Sequence, residues 1–350
     1  MKELSSEMYN AIIELVKARK YPSLESFVDV AINNQIILEK SQSSQNNQVV
    51  LQPQPFAAID ILEKANSEKI RFVEAILLDS ERKSLPIWGL INRFAPAKLV
   101  LRILTNCLIE SNSQWLPLKE FSETVVQRAL VIRSQIQKFE RKLSITRGQS
   151  MEIGFPTKDP KSQQKFADFY VGKLKGDNIV DGLLGDLELA AIKRSSTANM
   201  SNLMIGITNA GIRWANLHSP LVDDLILNHD PITNSLSNDE IHFLLNHLKQ
   251  IRKGDYYFLD FLYKSIKAGS NTPQLISSEV STYFKRIGFK TGLMNTYQTG
   301  AIARLIEMRA IGIEKHGIYT NYYLQNSASD LEQFSISNKQ TIAASNPQNC

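Results

Sequence analysis

The run GFKTGLMNTYQTGAIARLIEMRAIGIEKHGIYTNYYL, Gly288 to Leu324, decides the architecture, because its hydrophobic period changes from helical to alternating within one stretch. Thr299 to Met308 presents Ile302, Leu305 and Ile306 as a buried stripe, which predicts a helix. Asn295, Thr296, Gln298 and Arg304 are left as polar candidates near or on it. Ala310 to Glu314 and Ile318 to Leu324 alternate as strands do, with Lys315, His316 and Gly317 at the tip between them. A basic tip containing glycine suits a hairpin that lies along a phosphate backbone. The plainer readings are a surface cation beside Glu307 for Arg304 and an ordinary hairpin tip for Lys315 and His316.

A similar succession occurs upstream in VDGLLGDLELAAIKRSSTANMSNLMIGITNAGIRWANL, Val180 to Leu217. A helix ending near Ile192 is expected to lead through a Ser/Thr/Asn tip, with Lys193 and Arg194 at its start, to a strand from Leu203 to Thr208. A further helix opens at Asn209, with Thr208 or Asn209 as its cap. Ala191-Ile192 and Ala310-Ile311 occupy matching places, which suggests a repeated unit supported by few identities. Apolar residues at three and four spacing predict more helices around Ser67 to Leu78, Pro96 to Leu108, Leu118 to Leu143, Asp239 to Gln250, Tyr256 to Lys267 and Ser277 to Ile287. In the long one, Arg128, Arg133, Lys138, Arg141, Lys142 and Arg147 mix with Glu120, Glu123 and Glu140, a pattern of a solvated face.

Both stretches resemble winged helix-turn-helix regulators, and the run Ile207 to Ala215 is similar to the L-T-x-x-G segment after the wing in many of them. The resemblance implies that the last helix before each wing meets base edges through amides and arginine, and that the wing meets the backbone. Asn295, Thr296, Gln298, Arg304, Lys315 and His316 are then DNA-binding in the second copy, Lys193 and Arg194 in the first.

At the other end, residues 1–40 read as two short amphipathic helices broken at Tyr21-Pro22-Ser23. Leu4, Ser5, Met8, Tyr9, Ile12, Leu15, Val16, Tyr21, Ser23, Glu25, Phe27, Val28, Ala31 and Ile32 match the pattern of the ribbon-helix-helix DNA-binding family (MetJ/Arc type), which this stretch resembles. That implies a homodimer, a paired strand in the major groove carrying Lys2, and a phosphate held at Ser23 where the second helix begins. Only Met1 to Leu4 precede the first cap, and Glu3 would face phosphates, so dimerisation carries over more safely than base reading.

The formal net charge is +5, from 40 basic and 35 acidic residues, which permits a polyanion partner without demanding one. Two cysteines, Cys107 and Cys350, make neither a disulfide framework nor a zinc site and suit a reducing, cytoplasmic setting. No signal peptide and no apolar run of bilayer length is present, so no membrane partner is expected. His242 and His247 stand five apart, wrong for two metal ligands on one helical face. Neither a phosphate-cradling glycine loop nor a nucleophile elbow occurs, and Asp177, Asp181, Asp186 and Glu188 scatter round a helical axis rather than converging as a nuclease cluster. Stacking of Tyr256-Tyr257 or Tyr322-Tyr323 on bases is a costlier explanation than packing.

The expectation is therefore a mainly α protein with no enzyme activity, cofactor or metal. Residues 1–40 form a ribbon-helix-helix-like module, 41–56 a flexible linker, 57–230 a helical domain with the first winged-helix unit, 231–325 the second unit and 326–350 a disordered tail. The expected partner is double-stranded DNA and the expected role transcription regulation. The alternatives are a plasmid or phage replication or partition factor with paired winged helices, and a protein-interaction scaffold.

Overall fold

A computed structural model describes residues 69–143, 150–175, 179–195, 203–289, 292–316 and 319–325. The chain divides after Pro55, and all of these residues belong to its second unit, Phe56–Cys350. The module of residues 1–40 with Lys2 and Ser23, the linker, the tail, Asp177, Arg147 and Gly317 lie outside the described residues.

The described chain is mainly helical. A short helix α1 (Ser80–Ser84) is followed by α2 (Ala95–Glu110), β1 (Leu116–Pro117), α3 (Leu118–Leu143) and α4 (Pro160–Phe166), which runs into a π-helical turn, Ala167–Val171. Then come β2 (Lys173–Lys175), β3 (Ile179–Asp181), α5 (Leu183–Asp186), β4 (Ala190–Arg194), β5 (Leu203–Ile207), α6 (Asn209–Asn216) and a second π-helical stretch, Pro220–Leu227. The remainder is α7 (Asn238–Ile251), α8 (Lys253–Lys267), α9 (Pro273–Arg286), α10 (Met294–Glu307), β6 (Ile311–His316) and β7 (Tyr319–Leu324).

The centre of the fold is α2. Pro96 sits in its first turn, where no intrahelical donor is lost. Leu99, Val100, Leu101, Ile103 and Leu104 are all 0% exposed, so this helix is buried on every side and packs against α3, α6 and β5 at once. Each such side chain contributes roughly 1.5–3 kcal/mol of burial. Lys98 and Arg102, one turn apart on α2, are fully buried with it. The Lys98 ammonium lies 3.1 Å from Glu240 and donates to the Trp214 and Leu217 carbonyls, while Arg102 grips both oxygens of Asp223 at 3.0 and 3.1 Å. Burial lowers the Lys98 pKa to about 8 and raises that of Glu240, each against the pull of the other's charge.

One three-stranded antiparallel sheet has the order β1, β5, β4, with Leu116 opposite Ile205 on one side and Ile192 opposite Ile205 on the other. The helix expected to end near Ile192 is a correction. Helical structure there is limited to α5, Glu188 takes left-handed backbone with φ of 52°, and Ala190 to Arg194 is strand β4. Ala190, Ala191 and Ile192 are all buried, so the strand lacks the alternation that would have marked it. The helix expected over Ser67 to Leu78 is also absent from the described part of that span. There the Val73 amide donates to the Ile207 carbonyl at 2.8 Å and the segment bridges Thr208 in parallel, so the pull of the sheet edge outweighs a helical apolar spacing.

The helices expected over Pro96 to Leu108, Leu118 to Leu143, Asp239 to Gln250, Tyr256 to Lys267 and Ser277 to Ile287 appear as α2, α3, α7, α8 and α9, and the hairpin as β6 and β7. Ser237 and Glu240 cap α7 reciprocally, and the Thr208 hydroxyl accepts the Gly211 amide at the start of α6. An aromatic group ties α8, α9 and α10 to the segment before α2. The Tyr297 ring lies 5.3 Å from Trp88, 5.8 Å from Phe284 and 5.6 Å from Phe289, and Phe258 lies 5.1 Å from Phe284.

Below this group the backbones of Gly89 and Gly300 touch. A Cβ on Gly300 would stand 2.1 Å from the Gly89 carbonyl oxygen, and one on Gly89 would stand 2.1 Å from that of Thr296. Gly300→Ala is therefore expected to cost on the order of 1–3 kcal/mol, despite alanine's better helix propensity, because backbone must shift to admit the methyl. Urea unfolding measures this, and a neutral or stabilising substitution would refute the close approach.

Candidate nucleic-acid interface

The residues singled out on α10 separate into two groups. Arg304 is 0% exposed and makes a structural joint: its Nη2 donates to Asp255 Oδ1 at 2.7 Å and its Nη1 to the Ile91 carbonyl at 2.5 Å. Gln298 is buried as well, and its Nε2 donates to the Pro273 carbonyl at 3.3 Å. Neither the base-reading role nor the surface-cation role expected for Arg304 fits this placement, and Gln298 is likewise closed off from a groove. Their position follows from α10 being covered on two sides, by α8 and α9 on one and by the 87–95 segment on the other, so its buried arc is wider than the stripe of Ile302 and Leu305 suggests.

Asn295 is exposed and Thr296 half-buried at the start of the same helix, with the Thr299 hydroxyl donating to the Asn295 carbonyl at 2.8 Å. Just before the α9–α10 connection, Lys285 and Arg286 are exposed, the latter 5.6 Å from the Tyr283 ring. On the hairpin, Lys315 is exposed opposite Thr320, and His316 pairs with Tyr319 as the last rung of the ladder. Thus Asn295, Thr296 and Lys315 remain available on the second half, together with two cations that the sequence analysis did not single out.

In the first half, Lys193 and Arg194 are exposed at the open end of β4, and the Lys193 ammonium sits 4.1 Å from the centre of the Trp115 ring. A second basic surface was missed. Lys158, Lys161, Lys165, Lys173 and Lys175 are all exposed on or beside α4 and β2. Asp159 caps α4 by accepting the Lys161 and Ser162 amides, and Phe166 anchors the opposite face against Phe155 and Tyr170 at ring distances of 6.4 and 5.2 Å. Lys161 and Lys165 therefore share the outer side of α4, one turn apart. Lys173 and Lys175 stand on one face of β2, with Leu174 turned the other way. Asp168 takes a hydrogen bond from Gln164 at 2.9 Å and from Lys173 at 2.8 Å, which raises the Lys173 pKa. The signal in the sequence was the lysine spacing in KDPKSQQKFADFYVGKLK, interrupted by the apolar FADFYV that buries the next turn.

No protein-family model, curated protein or solved structure matches the chain.

Of the acids considered as a nuclease cluster, the three described are engaged with cations. Asp181 and Asp186 lie 3.3 and 2.8 Å from Arg82, and Glu188 lies 3.4 Å from Lys83 and accepts the Leu78 amide. Among the described residues no cluster of three or more histidine, cysteine or acidic side chains could hold a metal, and no helix is long and apolar enough to cross a membrane. His247 is set into the α7 wall, its ring nitrogen 2.6 Å from the Leu187 carbonyl, and burial lowers its pKa.

Because Asp255 is fully buried against Arg304, Arg304→Ala strands a carboxylate in the core and is expected to cost about 3–5 kcal/mol. Chemical denaturation of the variant tests this. A loss below about 1 kcal/mol, the range of an exposed pair, would show that the joint does not hold.

Proposed function

We propose that this chain binds double-stranded DNA through two winged-helix units. Three features support that reading. The order α2, β1, α3, α4 and then, after an intervening β2–β3 hairpin and the one-turn α5, the hairpin β4–β5, with β5 central in the sheet, follows the succession of a winged helix apart from that insertion. The second half repeats helix, helix, helix and hairpin in α8, α9, α10 and β6–β7. The observation that carries the reading is the lysine face of α4. This helix is the last of more than one turn before the β4–β5 hairpin, and with Lys193 and Arg194 it supplies exposed cations for phosphate contacts. Asn295, Lys285, Arg286 and Lys315 form the corresponding set on the second unit.

Transcription regulation by a homodimer is the role we assign, the dimer resting on the resemblance of residues 1–40 to the ribbon-helix-helix family. A replication or partition factor is the second reading, favoured by one observation: a single chain carries two helix-and-hairpin units and so could engage successive grooves without a partner.

Binding of full-length protein to duplex DNA, followed by fluorescence anisotropy across a salt series, tests the proposal. Affinity should fall linearly on a log–log scale, with a slope of about −0.9 for each phosphate neutralised. Lys161→Glu with Lys165→Glu should weaken binding at every sequence and flatten that slope by roughly one to two. If the wild type fails to bind at low salt, or the double variant binds like it, the α4 face is not a DNA surface.

A further inference from the structure

A cavity of about 170 Å³ lies where the end of α10 meets the β6–β7 hairpin, residues 150–151 and the segment before α7. Two guanidiniums line it, those of Arg93 and Arg309, against one carboxylate, Glu307. That carboxylate is already engaged, because its two oxygens accept the Phe94 and Ala95 amides. Glu140, behind the lining residue Ser150, is likewise occupied by the Ser150 hydroxyl and the Met151 amide. Arg93 is 5% exposed and donates to the Ala303 carbonyl at 2.6 Å, so it has a fixed place in the wall. Ser235 is buried as well. Its hydroxyl reaches Glu307 Oε1 at 3.5 Å, the outer limit of a hydrogen bond, and can turn to a better acceptor in the cavity.

Arg309 is the least ordinary of these residues. It closes α10 in left-handed backbone with φ of 57°, its amide donating to the Ile306 carbonyl at 3.0 Å and that of Ala310 to the Leu305 carbonyl at 2.9 Å. Glycine is the usual residue at such a helix end, since a Cβ is strained there. Here the position carries instead a side chain that lines the cavity and whose Nη2 donates to the side chain of Asn238. The rest of the wall is largely apolar. Met151, Ile306 and Ile313 contribute to it, and the Tyr323 ring lies directly over the Gly312 backbone, its Cζ 2.2 Å from where a Cβ would stand.

A cavity of about 150 Å³ holds a benzene-sized molecule, so this one takes a single six-membered ring with a small substituent. Guanidinium forks match a carboxylate in shape and charge. We infer that the cavity binds a small aromatic monocarboxylate, its carboxylate toward Arg93, Arg309 and Ser235 and its ring between Tyr323 and the isoleucines. None of the residues assigned to DNA lines this site, so the two readings stand or fall separately.

The probe is benzoate, titrated calorimetrically into full-length protein beside benzamide, which keeps the ring without the charge, and inorganic phosphate, which keeps charge without the ring. Benzoate should bind with a Kd of about 1 mM or tighter, and each of the other two at least about tenfold more weakly. Arg309→Gly removes the guanidinium and relieves the left-handed strain, so the variant should fold as well as the wild type yet lose benzoate affinity by about tenfold or more. Thermal unfolding checks the first half of that expectation. Tyr323→Ala should also weaken benzoate, by about threefold or more, through loss of the ring contact. No binding of benzoate at about 10 mM, equal affinity for benzamide, or indifference to Arg309→Gly would overturn the inference. Phosphate binding as tightly as benzoate would overturn it too, by making the cavity a general anion site.

Discussion

Three charged side chains from the second half take up the main chain of one segment in the first. Asp255 accepts the Ile87 amide at 2.9 Å, Arg304 donates to the Ile91 carbonyl, and Glu307 accepts the Phe94 and Ala95 amides at 2.5 and 3.1 Å. Phe94, at the cap position of α2, supplies no side-chain acceptor, so the carboxylate that caps the central helix comes from α10. Burial raises the Glu307 pKa, and Arg93, whose guanidinium donates to the Ala303 carbonyl, pulls the other way. The start of α2 and the end of α10 are consequently set by the same few atoms. If the proposed DNA reading holds, the two hairpins share one rigid frame, and the spacing between the sites they meet is fixed by this joint rather than by a flexible linker.

The buried charges have a cost as well as a use. An ion pair such as Lys98–Glu240 or Arg102–Asp223 surrenders two hydration shells, and a well-packed apolar replacement is often at least as stable. What polar pairs add here is direction. Lys98 takes carbonyls at the end of α6, and Arg102 takes the acid that also accepts the Ser219 amide, so each fixes where the chain leaves α6 and enters the next helical stretch. An apolar α2 would bury as much surface without specifying that register.

Much of the fold was legible because its helices are amphipathic in the ordinary way. The stripes of α3, α7, α8 and α9 and the alternation of β7 each mark an element that buries one face. The misreadings occur where burial is not one-sided. In β4, Ala190 to Ile192 are inside on both faces and imitate a helix end, and in the 70–73 segment a sheet edge captures residues whose spacing suits a helix. Arg304 and Gln298 were placed outside because such side chains usually are, and the partner that draws Arg304 inward, Asp255, is distant in sequence. The lysines of α4 were visible as residues but not as a surface, since only the anchoring of Phe166 shows that Lys161 and Lys165 point outward together.

The central claim is that duplex DNA lies against the α4 face and the two hairpins. Lysine acetylation of the full-length protein with and without duplex DNA, read by mass spectrometry, addresses it residue by residue. Protection that includes Lys161, Lys165, Lys193, Lys285 and Lys315, with Lys138 and Lys142 on the mixed-charge end of α3 still reactive, is the result this account predicts. Uniform protection, or none at Lys161 and Lys165, would contradict it.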